Sequence, residues 1–169
     1  LAQQLRERTA RHVGLHRAAF STADAAAERR RLAAAGFAVL PLVDMRRPVA
    51  TVSGAIEEAR FTIARIADGG MPEGRTQFLC HHTPHLVWRA PFLDHPNGAE
   101  ALAALWIAAA DPAEPAARFA RFTGRPARRR GEITAIALER GVLRFAVPAY
   151  LEAEFGIAPG PPLPYLAAC

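Results

Sequence analysis

Phe20-Ser21-Thr22-Ala23-Asp24 opens a stretch that closes at Leu32-Ala33-Ala34-Ala35-Gly36, and the chain then repeats the pattern. Ala108-Ala109-Ala110-Asp111-Pro112 opens a second stretch, which closes at Phe119-Ala120-Arg121-Phe122-Thr123-Gly124. In each, an apolar strand-like run enters an aspartate, a helix-like segment follows, and a glycine ends it where a helix C-cap belongs. The aspartates lie 87 positions apart (111 − 24), too far for a short solenoid repeat and right for a duplicated supersecondary unit. Duplicated units often pair to build a shared cleft, so the repeat also points to where function lies.

Working outward, residues 1–11 read as a polar helix with Leu1 and Leu5 on one face. Residues 12–20 read as a strand, and Ser21, Thr22 or Asp24 caps an Ala-rich helix that runs to Ala35. Residues 37–43 are β-compatible, Arg46-Arg47-Pro48 is expected to turn the chain, and residues 49–52 and 59–67 are expected to pair as a hairpin about Gly54. Residues 77–81 make a last short strand, so the first unit reads β-α-β-β-β.

Residues 83–98 form a proline-punctuated linker that holds Trp88. The second unit has a strand over 102–110, a helix over 112–122 with proline at its start, and a basic loop. Strands over 133–138 and 142–147 follow, then a short helix over 148–155 stopped by Gly156, so this unit is shorter by one strand. The organisation expected is a helical lead-in at 1–11, a first module at 12–82, a linker at 83–98 and a second module at 99–156. Residues 157–169 then read as a Pro-rich linker and the start of a truncated further module.

The composition narrows the function. The 169 residues are 51% hydrophobic, enough for a sizeable core. A net charge of +5 invites a nucleic-acid reading, but every one of the 21 basic residues is arginine. The Arg29–Arg31, Arg46–Arg47 and Arg128–Arg130 clusters have no interleaved aromatics of the kind that stack bases. Solvated surface is the reading, with neither a nucleic-acid nor a membrane partner expected. Cys80 and Cys169 have no metal-type spacing and read as reduced thiols of a cytoplasmic protein.

The tandem βαβββ unit resembles the vicinal oxygen chelate superfamily, which includes glyoxalase I, extradiol dioxygenases and bleomycin-resistance proteins. Phe78-Leu79-Cys80-His81-His82-Thr83-Pro84-His85-Leu86-Val87-Trp88-Arg89, with His95-Pro96-Asn97-Gly98-Ala99, resembles bacterial glyoxalase-like domain proteins in particular. Gly14-Leu15, Ser21–Ala25 and Phe155-Gly156 are similar to them as well. The resemblance implies an α+β fold of tandem βαβββ modules, the second shortened. It also implies that this chain is an internal part of a longer protein whose modules pair with flanking ones or with a homodimer partner.

The same resemblance implies a function. A small oxygenated metabolite would be bound through two neighbouring oxygens on a divalent metal (Fe, Mn, Zn or Ni), in lyase, isomerase or dioxygenase chemistry. Carried over residue by residue, His16 falls at the first-strand position and His81 or His82 near the last-strand position. The second unit offers only Ala103, Ala104, Leu143 and Arg144 at the matching places, none an ordinary ligand. Some members of the superfamily bind ligands without metal, so a site with no cofactor stays open.

Apart from the metal question, Trp88, Arg89 and His95 are candidate ligand contacts: an aromatic wall, a bidentate partner for a carboxylate or phosphate, and a proton carrier, a role His85 shares. The structural alternative is that Trp88 anchors the linker and His81 and His82 cap a strand. Three functions follow: a metal-dependent enzyme, a non-catalytic ligand-binding module, or a scaffold for flanking catalytic modules.

Overall fold

The computed structural model describes residues 6, 9–10, 12, 14–93, 96–158, 160 and 162–169. Of the lead-in helix expected over 1–11, Arg6, Thr9 and Ala10 are helical. The rest of it lies outside the described residues, as does His95. Two compact units emerge, one from residues 18–70 and 76–101, the other from residues 1–17, 71–75 and 102–169.

In the first of these, strand β1 (Arg17–Ser21) leads into helix α1 (Ala25–Ala34). Asp24 caps the helix, its Oδ1 accepting from the Ala26 and Ala27 amides at 2.8 and 2.9 Å. The Ala27 amide is the main reason the Asp24 carboxyl sits below the usual carboxylate range. Gly36, at φ 83°, turns the chain out of the helix in the left-handed conformation that glycine adopts without strain. Strands β2 (Val43–Ala50), β3 (Ile56–Arg65) and β4 (Arg75–His81) complete a sheet of order β1-β4-β3-β2. The segment after β4 is a single 3₁₀ turn (Pro84–Leu86) and a four-residue helix α2 (Ala90–Leu93).

The turn expected at Arg46-Arg47-Pro48 is instead the middle of β2, which pairs with β3 from Val43↔Ile63 to Ala50↔Ile56. β2 is an edge strand, and an edge is where a proline without an N–H fits a sheet. The bend comes later, where the Thr51 amide donates to the Ala55 carbonyl at 2.8 Å and Gly54 takes φ 82°.

The second sheet repeats the first. Strand β5 (Ala104–Ala108) precedes helix α3 (Ala113–Thr123), followed by β6 (Arg128–Arg130), β7 (Ile133–Ala137) and β8 (Val142–Ala146). Its order is β6-β7-β8-β5, with β9 (Tyr165–Ala168) added beside β5. In both sheets the first strand lies next to the fourth, then the third, then the second. The basic loop of the sequence reading is therefore β6, a three-residue edge strand, and the second module is shortened without losing a strand. Helix α3 buries Pro115, Ala116, Phe119 and Phe122, a stripe at helical spacing, and Phe119 meets Phe145 of β8 at 5.4 Å. Full burial of each such ring stabilises by roughly 1.5–3 kcal/mol. Helix α4 (Pro148–Phe155) ends at Gly156, in the left-handed conformation at φ 66°.

Candidate functional site

Alternation along the strands divides the first sheet into two faces. One lies under α1: Phe78 meets the Arg31 guanidinium at 5.4 Å, and the Cys80 thiol donates to the Ala23 carbonyl at 3.2 Å. On the opposite face the register brings Met45, Phe61 and His81 into one row across β2, β3 and β4. The His81 ring stands edge-on to Phe61, with centroids 5.0 Å apart, and lies 6.0 Å from Trp88. The Arg47 guanidinium lies 5.9 Å from the centre of Phe61. Trp88 is 58% exposed and Met45 49%, so the row forms an open aromatic shelf rather than core.

His81 is half-buried there, and its Nδ1 is enclosed without a hydrogen-bond partner among the described residues. Burial holds its imidazole below the usual histidine range, so the ring is neutral near pH 7. A neutral imidazole can accept one hydrogen bond and donate another.

The adjacent His82 belongs to the other face. Its Nε2 lies 2.7 Å from the Thr62 hydroxyl, and that hydroxyl donates to Asp44 at 2.7 Å. A hydroxyl has one proton to give. With that proton on Asp44, His82 must be the donor to Thr62, which places its ring proton on Nε2. His16 lies in the other unit, where its Nε2 donates to the His12 carbonyl at 2.9 Å and the two rings lie 4.1 Å apart.

With Nε2 donating in both His16 and His82, the lone pair of each neutral ring lies on Nδ1, the nitrogen through which either would coordinate. His81 and His82 point to opposite faces of one strand, so they do not converge on one ion. Among the described residues no group of three or more His, Cys, Asp or Glu side chains is placed to hold one.

Arg89 makes a structural contact. Its Nη1 donates to the Ala50 carbonyl at 2.8 Å and its guanidinium lies 4.7 Å from the Phe92 ring, which ties the segment after β4 to the end of β2. Leu86, not Trp88, is the buried anchor of that segment. The cation that does face the shelf is Arg47, which the sequence reading assigned to a turn. Its neighbour Arg46 is paired with Glu58, whereas Arg47 has no carboxylate partner among the described residues. Only the strand register, which puts Arg47 opposite Ala59 and next to Phe61, discloses it.

Two βαβββ units with the same strand order, one bearing a histidine at the end of its fourth strand, define a protein of the vicinal oxygen chelate superfamily. The model of the glyoxalase-like domain family matches residues 2–123, and the chain belongs to that family. A crystal structure of a hypothetical protein from Staphylococcus aureus shares the fold, with a TM-score of 0.65 at 12% identity over 86% of this chain. The chain spans 57% of that protein's length. No curated protein matches the sequence. Among the described residues no helix is long and apolar enough to cross a membrane.

Proposed function

We propose that this chain is a ligand-binding module of the glyoxalase-like type, which takes a small oxygenated metabolite on the shelf formed by Met45, Phe61, His81 and Trp88. The observation that carries this is the half-buried His81 set among exposed aromatic surface, with Nδ1 enclosed and Nε2 the ring nitrogen left to meet a ligand. An imidazole nitrogen facing the shelf offers a hydrogen bond to the hydroxyl or carbonyl group of a bound ligand. Ligand pockets typically combine apolar walls with a few such polar groups.

On this reading Trp88 and Phe61 supply contact area, and His81 orients the ligand by a hydrogen bond. A divalent metal (Fe, Mn, Zn or Ni) enters only if segments beyond the described residues bring the missing ligands, so flanking modules or a second copy are the partners such chemistry would need. A reducing cytoplasm suits the two free thiols, Cys80 and Cys169.

The test is a ¹H–¹³C NMR screen of small planar and carbonyl-bearing compounds against the chain, with elemental analysis of the same sample. A saturable shift of the His81 and Trp88 signals, lost in Trp88→Ala and independent of added chelator, is the expected result. Stoichiometric metal that disappears in His16→Ala or His82→Ala would overturn the metal-free reading. Shelf signals unmoved by every compound would overturn the site.

A further inference from the structure

We infer that the ligand of this shelf is a planar aromatic carboxylate, its ring lying against Phe61 and Trp88 and its carboxylate held by Arg47. The inference rests on the shelf being the binding site, as proposed above, and adds to it the charge and shape of the ligand.

The chemistry follows from what each side chain has left to offer. Arg47 is exposed, lies 5.9 Å from the Phe61 centroid and has no carboxylate partner among the described residues. The acidic groups near it are otherwise arranged. Glu58 is paired with Arg46, and Asp44 accepts from Thr62 on the opposite face. Glu57 shares the face of Arg47 but forms no ion pair with it among the described residues. A guanidinium presents a planar fork that matches a carboxylate with two parallel hydrogen bonds, and it sits here against an aromatic face. Next to that fork stand the Phe61 ring and, beyond His81, the exposed Trp88, and aromatic faces favour a stacked planar ring over a branched or polyhydroxylated chain.

His81 sets a second condition. Held neutral by burial, it adds no positive charge to the site. It therefore selects a hydrogen-bonding group on the ring, such as a hydroxyl, rather than a second anionic group. A ligand with one carboxylate and one hydroxyl on a single ring meets both conditions.

The experiment compares 3-hydroxybenzoate with 3-hydroxybenzamide, which keeps the ring and hydroxyl but removes the charge. Binding to the full chain is followed through the His81 and Trp88 NMR signals. The expected result is that the carboxylate binds about tenfold tighter than the amide, the scale of one hydrogen-bonded charge at a partly exposed site. Arg47→Gln should erase that preference, bringing the carboxylate down to the affinity of the amide. Equal binding of the two probes by the wild-type chain, or a preference that survives Arg47→Gln, overturns the carboxylate assignment while leaving the shelf as the site. Failure of both probes overturns it too, and the shelf falls with it only if the neutral compounds of the wider screen also leave both signals unmoved.

Discussion

Replacing Arg118 should be far more damaging than its surface position on α3 suggests. Its guanidinium bridges Glu73, whose side chain is fully buried, and Glu114, which is exposed; Arg118 itself is 13% exposed. Glu73 Oε2 and Arg118 Nε are enclosed without hydrogen-bond partners among the described residues, so Glu73 Oε1 carries the pair. Arg118→Met keeps the bulk of the side chain and leaves Glu73 buried without a counter-charge. Breaking a buried pair from one side costs about 3–5 kcal/mol. At about 2–4 °C per kcal/mol for a chain of this size, the midpoint should fall by roughly 6–20 °C. Glu73→Gln keeps an acceptor for Arg118 and leaves Glu114 as its partner, so its cost should be nearer about 1 kcal/mol. The double variant should be more stable than Arg118→Met alone.

The pH dependence adds a sign. Burial, opposed by the Arg118 hydrogen bond, pushes the Glu73 carboxyl above its ordinary value. A carboxyl raised on folding contributes stability that is fully present below its unfolded value and is lost as pH rises through its folded value. The Arg118→Met penalty should therefore be largest at neutral pH and shrink toward pH 4, where Glu73 is neutral. Urea unfolding at several pH values measures this. A penalty below about 1 kcal/mol at pH 7, or one that grows on acidification, would refute the reasoning.

Two further outcomes can be checked directly. An NMR titration should place the His81 midpoint below that of an ordinary histidine, since burial is what depresses it, and Phe61→Ala should move it back up by admitting water. Because its folded value is depressed, His81 favours the folded state above the ordinary histidine range and loses that contribution as pH falls through it. Gly141, at φ 78°, has the Leu102 carbonyl oxygen 2.8 Å from where a Cβ would stand, whereas Gly36, at φ 83°, faces open space. Gly141→Ala should therefore cost roughly 1–3 kcal/mol in thermal unfolding, and more than Gly36→Ala, where strain acts without a clash.

Local signals were the legible part of this chain. Asp24 and Gly36, Pro112 and Gly124 mark helix ends by chemistry that needs no tertiary context, so both helices and the duplication could be read from residues alone. The arginine-rich strands could not. β6 is three exposed arginines on a sheet edge, held by pairing with β7, and β2 runs through Arg46-Arg47-Pro48 because an edge tolerates them. Reading the first as a loop and the second as a turn followed intrinsic propensity, which tertiary pairing overrode.

The candidate site suffered from the same limit. That Trp88 and His81 stand together follows from their short separation, but the opposite facing of His81 and His82 required knowing that the strand continues to its end. Arg47 appears only once the register is fixed, because a slip of one residue would turn it to the other face. Arg89, the charged neighbour of a tryptophan, also donates to a carbonyl 39 positions earlier in the chain, a contact that spacing alone does not disclose.

The unit that holds β5 to β9 is threaded from three separate stretches, 1–17, 71–75 and 102–169, and Leu15 forms a bridge with Leu166 inside it. Its completion therefore waits for almost the whole chain to be synthesised, whereas residues 18–101 can begin to organise much earlier. A cut near residue 100 would not release two self-sufficient halves. It would leave the N-terminal piece holding two segments that belong elsewhere, and the C-terminal piece missing the strand mate of Leu166 and the carboxylate that Arg118 needs.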